Sequence, residues 1–68
     1  MELNWRDAES VELVEAGYLT DANGEPKTLV TGVRIAVEGG YLHVAVPGRD
    51  EVQVVSAPMV RHVAYRRV

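Results

Sequence analysis

Few side chains in this sequence could carry out chemistry. His43 and His62 are the only histidines, Ser10 and Ser56 the only serines, and cysteine is absent. A Ser–His–acid site needs a nucleophile within hydrogen-bond reach of a base that a third group orients. Ser56 and His62 flank the same break in the pattern, and Glu51 precedes them. No spacing makes the three converge, so no catalytic residue is assigned and the chain is read as a non-enzyme. Without cysteine there is neither a thiolate metal site nor a disulfide framework. Two histidines without ligand spacing make no metal signature, so neither metal nor cofactor is expected. Gly39-Gly40 and Gly48 are hairpin glycines, and no glycine loop suits a phosphate. A chain this short also has little volume for a ligand pocket of about 300 Å3 or more.

The best polar feature is C-terminal: Arg61, His62, Arg66 and Arg67. On a strand, Arg61 and Arg67 share a face with Tyr65, while His62 and Arg66 take the other. Several cations beside an aromatic platform are what single-stranded nucleic acid requires. Arg61, Tyr65, Arg66 and Arg67 are therefore the candidate nucleic-acid residues. The competing reading is an edge strand whose arginines block aggregation, and an acidic pI near 5.2 favours it. Charge is divided along the chain. Residues 1–26 carry seven acids against Arg6 alone, −6, whereas residues 27–68 carry six bases against three acids, +3. The two halves can neutralise each other within one fold or between subunits.

The elements that must position these groups are strands. In 68 residues there are thirteen valines, five leucines, one isoleucine and no phenylalanine. Valine is stiff at its first torsion and suits a pleated surface, so the composition predicts a sheet. The length permits one domain, and no apolar run approaches the roughly 20 residues of a membrane span. The start Met1-Glu2-Leu3-Asn4 lacks the basic region of a signal peptide. The expectation is a single cytoplasmic domain over 1–68 with no membrane association. Arginine outnumbers lysine six to one, a coding bias of high-GC bacteria and their phages.

Lys27–Glu38 alternates strictly, with Leu29, Thr31, Val33, Ile35 and Val37 on one face and Val30, Gly32, Arg34, Ala36 and Glu38 on the other. Gly39-Gly40 then predicts a two-residue hairpin. Tyr41–Val46 sets Leu42, Val44 and Val46 against Tyr41, His43 and Ala45. Pro47-Gly48-Arg49-Asp50 predicts a turn. Glu51–Ser56 is a strand with Val52 and Val54 on one face. Ser56-Ala57-Pro58-Met59 is a break suited to a three-ten turn. Val60–Arg67 resumes as a strand with Val63 and Tyr65 inward. Toward the N-terminus a strand over 10–19, following a helical turn in the 1–9 extension, is favoured over a helix at 4–16. Thr20–Pro26 reads as a polar loop with Asn23-Gly24 as its turn signal.

The fold class is thus all-β: a small antiparallel five-stranded meander or barrel with a three-ten break before the last strand. This order over residues 10–67 resembles the five-stranded barrels of Src-homology-3-type and Sm-like domains. In those the long first loop corresponds to Thr20–Pro26 and the three-ten turn to Ser56–Met59. The resemblance is architectural. The first loop has no aromatic residue, and Ser56–His62 does not match an Sm-type RNA pocket, so it carries over no binding residues.

A small valine core gains stability by burying apolar surface in a partner subunit. The functional expectation is a non-enzymatic interaction module that self-associates. Its candidate interface residues are Trp5, Val30, Ala36, Tyr41, Ala45 and Val55. Trp5 either caps an open end of the barrel or anchors a partner, as tryptophan does at binding hot spots. Two alternatives remain: an Sm-like nucleic-acid binder using the C-terminal arginines, and a small phage-type protein that binds a host protein.

Overall fold

The computed structural model describes residues 3–65; Arg66 and Arg67 lie outside them. Seven strands run in order: β1 (Arg6–Leu13), β2 (Leu19–Thr20), β3 (Pro26–Lys27), β4 (Leu29–Glu38), β5 (Tyr41–Ala45), β6 (Val52–Ser56) and β7 (Val60–Ala64). Five of them form one antiparallel sheet ordered β6-β5-β4-β1-β7, and β2 pairs with β3 as a separate hairpin. A three-ten turn over Ala57–Met59 joins β6 to β7, with Pro58 inside it.

That turn sets the shape. β6 and β7 are the two edges of the sheet, and in a flat sheet four strand spacings would part them by about 19 Å. Three residues of three-ten helix span only about 6 Å. The sheet must therefore curl until its edges approach, although β6 and β7 do not pair and the barrel is not closed. The turn is pinned on both sides: Ala57 N–H donates to Gly40 O at 2.9 Å, and Val14 N–H donates to Met59 O at 2.9 Å.

The curl is visible in β1 and β4. Their ladder steps from Ala8↔Val33 to Ser10↔Thr31, skipping Glu9 and Gly32. On one side of this step Ala8, Val33 and Ile35 point inward. On the other Val11, Leu13 and Val30 do, although the alternation has changed phase. Gly32 accommodates the bend with a φ of +61°, which a side chain would resist. This corrects the strict alternation expected for β4: Val30 is core, whereas Leu29 is about half exposed and Val37 is 72% exposed. One core results, from Ala8, Val11, Leu13, Leu19, Val30, Val33, Ile35, Leu42, Val44, Val46 and Val55, with Met59, Val60 and Val63 packed against it.

β6 faces opposite to expectation. Its register pairs Ala45 with Val52 and Leu42 with Val55. Paired residues share a face, so Val55 turns into the core and Val52 and Val54 turn out. Three valines in four residues leave the alternation undecided, and the length of the loop from Val46 to Glu51 decides it. The N-terminal segment is also corrected. β1 spans Arg6–Leu13, not 10–19, and there is no α-helix among the described residues.

Thr20–Pro26 is the tip of the β2–β3 hairpin rather than a free loop. The Gln53 side chain, on the inner side of β6, clamps this hairpin. Thr20 N–H and hydroxyl donate to Gln53 Oε1 at 2.9 and 3.1 Å, and Gln53 Nε2 donates to Thr20 O at 3.0 Å. The hairpin thereby seats Leu19 in the core. Replacing Gln53 with Ala removes these bonds and should lower stability by about 1–2 kcal/mol, read as a fall in the urea midpoint. Gly32→Ala should cost about 1–2 kcal/mol through backbone strain alone, because nothing lies within 4 Å of an added Cβ. An unchanged midpoint in either variant contradicts the role given to that residue.

Candidate functional site

The outer face of β4, β5 and β6 forms three rows across the strands. The cross-strand registers align Arg34–Ala45–Val52, then Ala36–His43–Val54, then Glu38–Tyr41–Ser56. Tyr41 and Val54 are each 52% exposed and Val52 46%, while His43 and Ala45 are half-buried. Arg34, Glu38 and Ser56 are exposed. The result is an apolar strip of Tyr41, Ala45, Val52 and Val54 with a cation near one end of β4 and an anion near the other. Arg34 Nε lies 3.4 Å from the Asp7 carboxylate, both largely in solvent. Such a pair contributes little to stability and leaves the guanidinium available.

The expected interface residues divide accordingly. Tyr41 and Ala45 lie on this face. Ala36 also belongs to it but is buried, and it stands outside the core cluster. Trp5 is half-buried one residue ahead of β1, where the β1–β4 register, carried one step on, would set it beside Ala36. Val30 and Val55 are buried in the core, so neither offers surface. Val52 and Val54 belong on the face instead. Their side follows from the pairing of Ala45 with Val52, which the run of valines in β6 does not record.

The polar candidates do not come together. His62 is exposed on β7 opposite Glu12, Ser56 ends β6, and the Glu51 carboxylate holds Arg49. Arg61 is exposed on β7. Tyr65 lies past the end of β7 and is 48% exposed rather than inward. The Arg6 guanidinium sits over its ring, 4.5 Å from the centroid. No cluster of three or more metal-ligating side chains forms among the described residues.

Two surface grooves are larger than the length of the chain suggested. One of about 600 Å3 lies between the β2–β3 tip, the start of β4 and Pro47. Another of about 360 Å3 lies toward the other end of β4, lined by Arg6, Ile35, Val37, Leu42, Val63 and Tyr65. Neither encloses a buried polar side chain among the described residues. Asp21, at the first groove, has a structural task. Its Oδ1 accepts from Glu25 N–H at 3.0 Å and Asn23 N–H at 2.9 Å.

No protein-family model, curated protein or solved structure matches this chain. No helix among the described residues is long and apolar enough to cross a membrane.

The backbone bond from Glu25 does most to hold the Asp21 carboxyl below the usual carboxylate range; desolvation, the next largest effect, opposes it, and the bond from Asn23 and the charges of Lys27 and Arg49 add to the lowering. A depressed folded-state value stabilises the fold above the unfolded value of about 3.9, and that contribution is lost as pH falls through the folded value. Carbon-detected NMR titration should place the Asp21 midpoint below that of an unfolded peptide. An ordinary midpoint contradicts the cap.

Proposed function

We propose that this chain is a non-enzymatic interaction module that self-associates through the outer face of β4, β5 and β6. The observation that carries the reading is the apolar strip of Tyr41, Ala45, Val52 and Val54, left in solvent by a sheet whose core is already filled from the other side. Single exposed apolar side chains are ordinary, but a contiguous strip with a polar rim is the usual form of an interaction surface. The curled sheet, the hairpin between β1 and β4 and the three-ten turn before β7 support reading the fold as a relative of the Src-homology-3-type and Sm-like barrels.

The face presents about nine side chains, fewer than the roughly 20–30 residues a side of a standard interface. Association is therefore weak and depends on concentration. The Sm-like nucleic-acid reading has support in Arg61 and in the Arg6–Tyr65 stack, but the stack already occupies one side of the aromatic platform there. The reading as a small phage-type binder of a host protein would use the same outer face.

Light scattering across a gel-filtration peak, with loading from about 10 µM to about 1 mM, tests the proposal because weak pairs form in that range. The mass should rise from 7.5 kDa toward an integral multiple without excess absorbance at 260 nm. A monomer at every concentration overturns self-association and favours a different protein as partner. Excess 260 nm absorbance that disappears with salt favours the nucleic-acid reading.

A further inference from the structure

The outer face is complementary to itself under one particular symmetry. Its middle row, Ala36–His43–Val54, divides two rows of unlike character. On one side stand a cation, a small residue and a branched apolar one: Arg34, Ala45 and Val52. On the other stand an anion, a large aromatic and a small polar residue: Glu38, Tyr41 and Ser56. A two-fold axis along the middle row lays one row of each copy on the opposite row of the other. β4 then faces β4 of the second copy, β5 faces β5 and β6 faces β6.

The geometry points to a homodimer built on this axis, with two sheets packed outer face to outer face. The inference rests on the self-association proposed above and specifies its partner and register. Arg34 meets Glu38 of the second copy, and the contact occurs twice. Tyr41 meets Ala45, a large side chain over a small one, also twice. Ser56 meets Val52. His43 and Val54 meet their own copies on the axis, while Ala36 lies beneath it, already buried within its own chain. Aligned sheets pack about 10 Å apart; because this sheet curls, its outer face is convex, so the gap is narrowest along β5 and widens at β4, where the long arginine and glutamate side chains reach across from opposite sides. The same residue patch serves both subunits, as a two-fold interface requires.

The other in-plane axis, along β5, is disfavoured by charge. It sets β4 against β6, so Arg34 falls on Val52, Ala36 on Val54 and Glu38 on Ser56. Glu38 is then covered without a partner and Arg34 keeps only Asp7 of its own chain, and a covered charge without a partner costs more than a matched pair. The first axis matches them, and electrostatic matching of this kind selects register more than it adds affinity. Among the described residues, the Asp7 carboxylate beside Arg34 is a further charge in contact with this face. It lies on β1, to the side of the paired rows.

Reciprocal charge reversal tests the arrangement with the full-length chain. Arg34→Glu alone makes every facing pair anion on anion, and Glu38→Arg alone makes every pair cation on cation. Each variant should weaken dimerisation by about tenfold or more. An equimolar mixture of the two variants should recover the wild-type mass. In the mixed dimer one copy carries acids at both positions and the other carries bases at both, so each facing pair is again anion on cation. Sedimentation equilibrium reads all three samples, and far-UV circular dichroism confirms that each variant is folded. Val54→Arg adds an independent arm, since a charge on the axis meets its own copy and should abolish the dimer. A wild-type dimer that survives both single reversals, or a mixture that stays monomeric, overturns this axis while leaving self-association in place. A wild-type monomer overturns the underlying reading itself.

Discussion

The three-residue link between β6 and β7 is the constraint on which the rest of this fold depends. It ties together the two strands that lie at opposite edges of a five-stranded sheet. Hydrogen bonding alone would permit a flat ribbon with one face to cover. The link makes the ribbon curl, and curling lets a single layer enclose its own core. The chain extends 28 × 26 × 24 Å, dimensions far more even than those of a flat sheet. Bending concentrates where Glu9 and Gly32 drop out of the β1–β4 ladder. From there inward-pointing residues continue on both sides, out of phase. Valine and leucine then fill a narrow interior, with no polar side chain buried among the described residues.

Curling also explains why the outer face is the surface left over. A curled sheet satisfies its inner side with its own residues, and the β2–β3 hairpin and the three-ten turn cover what remains. Gln53 belongs to both tasks, since its amide reaches inward to Thr20 while its neighbours Val52 and Val54 face solvent. On that side of β4, β5 and β6 only Ala36 is buried, while Tyr41, Val52 and Val54 are about half exposed. The edges differ as well. β7 carries exposed Arg61 and His62, groups that discourage pairing, whereas β6 reads Val-Gln-Val-Val-Ser without charge or proline. Apolar character therefore gathers on the β5–β6 side, and the charges of the proposed contact stand at its rim on β4.

Much of this was legible in the sequence, for local reasons. Gly39-Gly40 forms the expected tight turn, with both residues at positive φ. Leu42, Val44 and Val46 are buried in the expected alternation. Ser56–Met59 makes the expected three-ten break. What could not be read was set by contacts far apart in sequence. The phase of β4 changes at Gly32 because β1 bends with it, and no window within β4 records that. The face of Val52, Val54 and Val55 follows from the register with β5. The β2–β3 hairpin is held by Gln53, thirty-three residues from Thr20. Tyr41 and Ala45 were recoverable because β5 obeys simple alternation. Val52 and Val54 were not, because valine is found equally well on either side of a sheet.

The outer face of β4, β5 and β6 is the proposed meeting surface between this chain and another copy of itself. Backbone amide NMR spectra recorded along a dilution series test it most directly. Concentration-dependent shifts are expected at Arg34, Ala36, Glu38, Tyr41, His43, Ala45, Val52 and Val54, with β7 and the β2–β3 tip unmoved. Spectra that do not change with concentration, or shifts gathered along Val60–Ala64, would contradict it.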